Sequence, residues 1–169
     1  MRICAVFGAA IALGVLSALL ATNAQAIAGC DGPGGCPPRV TLTVPSNGAT
    51  DVDRDRNVAA QFWSDSGAMM ESTINVQTVK LYKGKLTRDQ LNPSCGTSAC
   101  PPPLPVSATV TYSAEKKRAI LNPEVRLAKR TNYTALVEGA GDSDSLTVKD
   151  FNNASLASDV IWRFKTGLR

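Results

Sequence analysis

From residue 39 onward the chain is written in short runs in which every second residue is apolar, each run closed by Gly, Pro, Asn, Asp or Ser. A two-residue period places successive side chains on opposite faces, so such runs fold as half-buried β-strands. The first is Arg39 to Val44, with Val40, Leu42 and Val44 expected on one face, and Pro45-Ser46-Asn47-Gly48 closes it. The second is Val58 to Trp63, with Val58, Ala60 and Phe62 inward. Gly67 to Asn75 reads as a helical turn under the sheet, anchored by Met70 and Ile74, with methionine as core filler. Further strands are expected over Val76 to Tyr82 (Val79, Leu81 inward) and Val106 to Tyr112 (Val110, Tyr112 inward). After a turn at Glu115-Lys116-Lys117 comes a fifth strand with Ala119 and Leu121 inward, ended by Asn122-Pro123. The last two are Asn132 to Gly139 and Val160 to Thr166, with a polar loop from Ala140 to Asp159 between them. Seven strands separated by turns predict an all-β, two-sheet antiparallel β-sandwich of about seven strands.

Ahead of this pattern stands a different kind of sequence. Arg2 and the uncharged apolar stretch Ile3 to Leu20, followed by Ala24-Gln25-Ala26, have the order of a secretory signal peptide spanning residues 1–26. A membrane span needs about 20 apolar residues, and Thr22, Asn23 and Gln25 interrupt the run too early. Ile27-Ala28-Gly29-Cys30 offers a second processing route, because it resembles a bacterial lipobox whose cysteine becomes acylated. The chain after the signal has 143 residues, enough for one domain with its own core. Losing Arg2 leaves 17 basic against 14 acidic residues, a net charge of +3. So mild a charge calls for no nucleic acid, and a membrane enters only if Cys30 is lipidated.

Removing the signal takes Cys4 with it and leaves Cys30, Cys36, Cys95 and Cys100, an even set in an oxidising compartment. Two local disulfides are expected, Cys30 with Cys36 in the Gly/Pro-rich lead (27–38) and Cys95 with Cys100 in an insertion over residues 84–105. The spacings are wider than the C-x-x-C knuckles of zinc ribbons.

Several segments share one pattern: Pro45-Ser46-Asn47-Gly48-Ala49-Thr50-Asp51-Val52, the Phe62 strand with Met70 and Ser72-Thr73-Ile74-Asn75, and Leu127 with Thr131-Asn132-Tyr133-Thr134. Val148-Lys149-Asp150-Phe151-Asn152-Asn153 and the closing Trp162-Arg163-Phe164-Lys165-Thr166-Gly167 complete it. Together these segments resemble the SbsA-type bacterial immunoglobulin-like domains of S-layer and other secreted surface proteins. The resemblance covers about Val40 to Gly167 and implies an immunoglobulin-like antiparallel β-sandwich of about seven strands over residues 39–167, in which Tyr133 makes a tyrosine corner and Trp162 and Phe164 fill the core. The cysteine-bearing insertion and the lead depart from the family pattern.

The chain has no histidine, which removes Ser-His-Asp and Cys-His catalysis and histidine-based zinc or copper sites together. Catalysis would fall to loop carboxylates, the chemistry of a small secreted hydrolase, and stands as an alternative behind a non-enzymatic reading. Asp51-Val52-Asp53-Arg54-Asp55 opens like a calcium loop, but Arg56 occupies the glycine position and Phe62 the glutamate position. Those aspartates are expected in solvent beside Arg54 or Arg56. Asp65 and Glu71 after the second strand, with Asp142, Asp144 and Asp150 before the last, are weak calcium candidates, because alternating strands send both loops to one end. The same alternation sends Lys116, Lys117 and Arg118 to the end opposite Arg126, Lys129 and Arg130, so no single basic patch is expected there.

The reading is therefore a non-catalytic exported module, without cofactor, that binds a protein or glycan of the cell envelope or joins a surface assembly. A lipid-anchored envelope protein is the alternative. Leu91, Asn92, Thr97 and Leu104 in the proline-stiffened insertion are the candidate partner contacts; shielding of strand edges by the same prolines is the competing role.

Overall fold

A computed structural model describes residues 35–91, 103–140 and 146–169. The signal and lipobox segments, Cys30, Cys95 and Cys100 lie outside these. Among the described residues, eight strands make two four-stranded sheets: β1 (Arg39–Val44), β2 (Ala49–Val52), β3 (Val58–Trp63), β4 (Val79–Lys83), β5 (Ala108–Ser113), β6 (Arg118–Pro123), β7 (Asn132–Val137) and β8 (Val160–Thr166). One sheet has the order β1-β3-β6-β5 and the other β2-β8-β7-β4. A 3₁₀ turn covers Glu71–Thr73, and a single helical turn, α1, covers Arg88–Leu91.

Inward residues from both sheets meet in one core. Val58, Ala60 and Phe62 of β3 and Ala119 and Leu121 of β6 face Leu81, Ala135, Val137, Trp162 and Phe164 of the second sheet. The rings of Tyr133 and Phe164 stack with centroids 5.7 Å apart. The Tyr133 hydroxyl accepts the Ala128 N–H at 2.8 Å, the tyrosine-corner bond expected from its place at the start of a late strand.

Four expectations change. The segment Ala49–Val52, outside the expected strands, is a short strand pairing parallel with β8, so the sandwich is not wholly antiparallel. A bulge between Val40 and Leu42 shifts β1 against β3, which turns Leu42 out beside Gln61 and leaves it 48% exposed. Met69, not Met70, is the buried methionine, while Ile74 is buried as expected. Strand four starts at Val79, because Asn75 accepts the N–H groups of Gln77 (side chain), Thr78 and Val79 (carbonyl) and spends Val76 in a turn.

Candidate functional site

The insertion begins at Gly84, whose φ of +112° is open to glycine and strained for other residues. There the chain leaves β4 and crosses the outer face of the second sheet. The Thr134 hydroxyl accepts the Leu86 N–H at 3.0 Å and donates to the Gly84 carbonyl at 2.8 Å. Arg163 donates to the Leu86 carbonyl from Nε at 3.0 Å and also from Nη2. Arg88 pairs with Asp159 at 3.5 Å. Cover from this segment explains why Thr134, on the outward side of β7, is buried. At its other end the insertion returns along the free side of β4: Pro105 bridges Tyr82, and the Val106 N–H donates to the Leu81 carbonyl at 2.7 Å. That leg covers a sheet edge, the shielding role considered for these prolines.

Of the candidate partner contacts, Leu91 ends α1 half-buried and Leu104 is 88% exposed; Asn92 and Thr97 lie outside the described residues. Cys36 is half-buried at the start of the described chain.

The two acidic loops do meet at one end, as strand alternation requires. Ser64 donates to Asp150 Oδ2 at 2.9 Å, and the Met70 N–H donates to the Lys149 carbonyl at 2.9 Å. The described carboxylates themselves do not gather. Asp150 is 1% exposed, and its other oxygen accepts the Ala154 N–H at 2.8 Å, so it braces the loop. Asp65 and Glu71 are exposed. Burial, opposed by the Met69 backbone and assisted by Glu71, raises the Tyr112 phenol. No group of three or more ligating side chains arranged for a metal occurs among the described residues; Asp142 and Asp144 lie outside them. Asp55 pairs with Arg126 at 2.9 Å, not with Arg54 or Arg56. Arg54 Nε donates instead to the Leu127 carbonyl at 2.6 Å.

Sequence reasoning missed a groove of about 590 Å³ between β2, β8 and the first leg of the insertion. Its lining brings Lys85, Arg163 and Lys165 together with Asn47, Thr50, Thr87 and Asn132. Arg163 and Lys165 alternate with the buried Trp162 and Phe164 along β8, so the outward pair was legible in the strand's two-residue period. Lys85 was not, since only the crossing at Gly84 carries it there.

A family model described as bacterial Ig-like domain matches residues 35–166. No curated protein matches the chain. Among solved structures it is similar to PcoC, a methionine-rich copper resistance protein from Escherichia coli, at 14% identity and a TM-score of 0.51, covering 78% of this chain and 99% of that one. It is also similar to domains 1–6 of the surface layer protein SbsC, at 12% identity and a TM-score of 0.47, covering 79% of this chain and 14% of that one.

Proposed function

The chain belongs to the bacterial Ig-like domain family, and on that premise we propose that it is an exported, non-catalytic module that binds a protein or glycan of the cell envelope or takes a place in a surface assembly. The observation that carries this reading is the fastening of the insertion's first leg to the second sheet through Thr134 and Arg163. A segment held in place before binding loses less entropy when a partner arrives. The SbsA-type motifs and the signal-like start, with cleavage after Ala26, support a surface or periplasmic location. The copper of PcoC is not carried over: likeness at 14% identity is a likeness of fold, and here Met69 is core and histidine is absent.

Local pairing of Cys30 with Cys36 and of Cys95 with Cys100 belongs to this reading. Cys36 is a disulfide cysteine, as this pairing requires. The lipobox favours the alternative, a lipid-anchored form of the same module. Peptide mapping separates the two, because a cysteine thioether-linked to diacylglycerol has no thiol left to pair. A Cys30–Cys36 peptide rejects the anchor, and a mature chain starting at acylated Cys30 rejects the secreted form.

Deleting Gln90 to Pro102 and closing the gap with a short Gly/Ser link tests the insertion. The expected product is folded and monomeric but no longer retained by a cell-envelope fraction that holds the intact chain. A product that aggregates, or that is retained as before, refutes a partner-binding insertion.

A further inference from the structure

The groove holds three cations without a counter-charge in its lining. Lys85 and Lys165 are exposed, and Arg163 is half-buried. Among the described residues, no aspartate or glutamate lines the groove. The ion pairs found among the described residues join Lys80 to Glu138, Arg88 to Asp159 and Arg126 to Asp55, all with other cations. Arg163 is held by a neutral carbonyl, that of Leu86, which fixes the guanidinium while leaving its charge uncompensated. Like charges gathered at one concave surface repel each other and raise the local concentration of anions.

The groove is also a built one. Its wall at β8 is pinned from the β1–β2 turn, where the Gly48 N–H donates to the Arg163 carbonyl at 2.7 Å and Asn47 Oδ1 accepts the Arg163 N–H at 2.9 Å. Its floor continues to Asn132, which pairs with Lys165 across β7 and β8. The opposite wall is Lys85 and Thr87 of the insertion, tied down through Leu86.

We propose that this groove is a binding site for an anionic saccharide, a sugar chain bearing carboxylate or phosphate groups. Lys85, Arg163 and Lys165 take the anionic groups, and the amides and hydroxyls of Asn47, Thr50 and Asn132 take sugar hydroxyls. A saccharide fits better than an acidic peptide because, among the described residues, the apolar side chains in the lining are Ala49 and Phe164, and Phe164 is spent in the core. The described lining therefore offers no apolar recess for a peptide side chain. This assignment rests on the binding-module reading and names a ligand class for it.

The test is calorimetric titration of the full mature chain with an oligogalacturonate, a phosphomannan oligosaccharide, a neutral cello-oligosaccharide and poly-glutamate. Binding to the oligogalacturonate, the phosphomannan or both is expected, and which of them binds identifies the source of the charge. Lys85→Ala with Lys165→Ala should weaken binding about tenfold or more, and Lys85→Glu with Lys165→Glu should abolish it. Lys116→Ala with Lys117→Ala, at the β5–β6 turn, should leave it unchanged. Raising ionic strength from about 0.15 M to about 1 M, which shortens the screening length from about 8 Å to about 3 Å, should weaken it too. The proposal is overturned by equal binding of the neutral sugar, by tighter binding of poly-glutamate, by an unaffected Lys85/Lys165 variant, or by no binding to either anionic saccharide. If the intact chain is retained by an envelope fraction yet binds neither saccharide, the groove assignment falls and the module reading stands. Loss of both removes both.

Discussion

Gly139 lies two residues past the end of β7, where the chain turns away under the entry to β8. Its N–H donates to Asp159 Oδ1 at 2.8 Å. A Cβ at this position would sit 2.2 Å from the carbonyl carbon of Ser158, 2.4 Å from its oxygen and 2.8 Å from the nitrogen of Asp159. Carbon atoms normally meet at about 3.5–4.0 Å, so Gly139→Ala forces a displacement of more than 1 Å, and all three obstacles are backbone. Those atoms lead straight into Val160, which pairs with Val137; retreat therefore opens the first rung of the β7–β8 ladder. The cost belongs at the upper end of overpacking, about 3 kcal/mol, against a total of about 5–15 kcal/mol for a domain. For a domain of this size that lowers Tm by about 10 °C. Urea and thermal unfolding of the mature chain, followed by tryptophan fluorescence, measure it. Gly48→Ala is the control: φ is +81° and the added Cβ meets nothing within 4 Å, so the cost is only that of a left-handed alanine, about 1 kcal/mol. If Gly139→Ala costs no more than Gly48→Ala, the close backbone approach is not the constraint it is taken to be.

Tyr133→Phe removes the acceptor of the part-buried Ala128 N–H and should destabilise by about 1–2 kcal/mol in urea unfolding, with the core packing of the ring kept. Burial, with a smaller contribution from Glu138, pushes the Tyr82 phenol up to about 12 from 10.0. The folded state then holds a proton that the unfolded state releases first, so this group's contribution is complete below pH 10 and is lost as pH rises towards 12. Tyr82→Phe should flatten that part of the stability profile, and an unchanged alkaline slope would refute the assignment.

The alternation of apolar residues made β3, β6, β7 and β8 legible, because each has an inward set that the core buries. What escaped it depended on partners distant in sequence. Nothing in Ala49–Val52 announces a strand until β8 lies alongside, and the bulge that exposes Leu42 is set by pairing with Gln61 and Phe62. Met69 and Met70 differ only in which faces the core, a choice made by the bridge from Met69 to Asp150. The candidate calcium carboxylates illustrate the same limit. Topology brought their loops together as expected, but the Asp150 side chain is committed to Ser64 and Ala154. The basic groove joins residue 85 to residues 163 and 165, and only the crossing of the insertion over β7 places them side by side.

The position of β8 bears on the order in which this domain is made. It comes last in chain order among the described strands, yet it lies inside its sheet, parallel to β2 on one side and antiparallel to β7 on the other. Until it emerges, β2 has no neighbour in its own sheet, and β4 and β7 form a lone two-stranded ribbon, which is marginal in water. Trp162 and Phe164, two of the largest core side chains, arrive with it. A chain lacking residues 160–166 therefore has no second sheet to close against the first, and β8 is the strand on which closure of the sandwich waits.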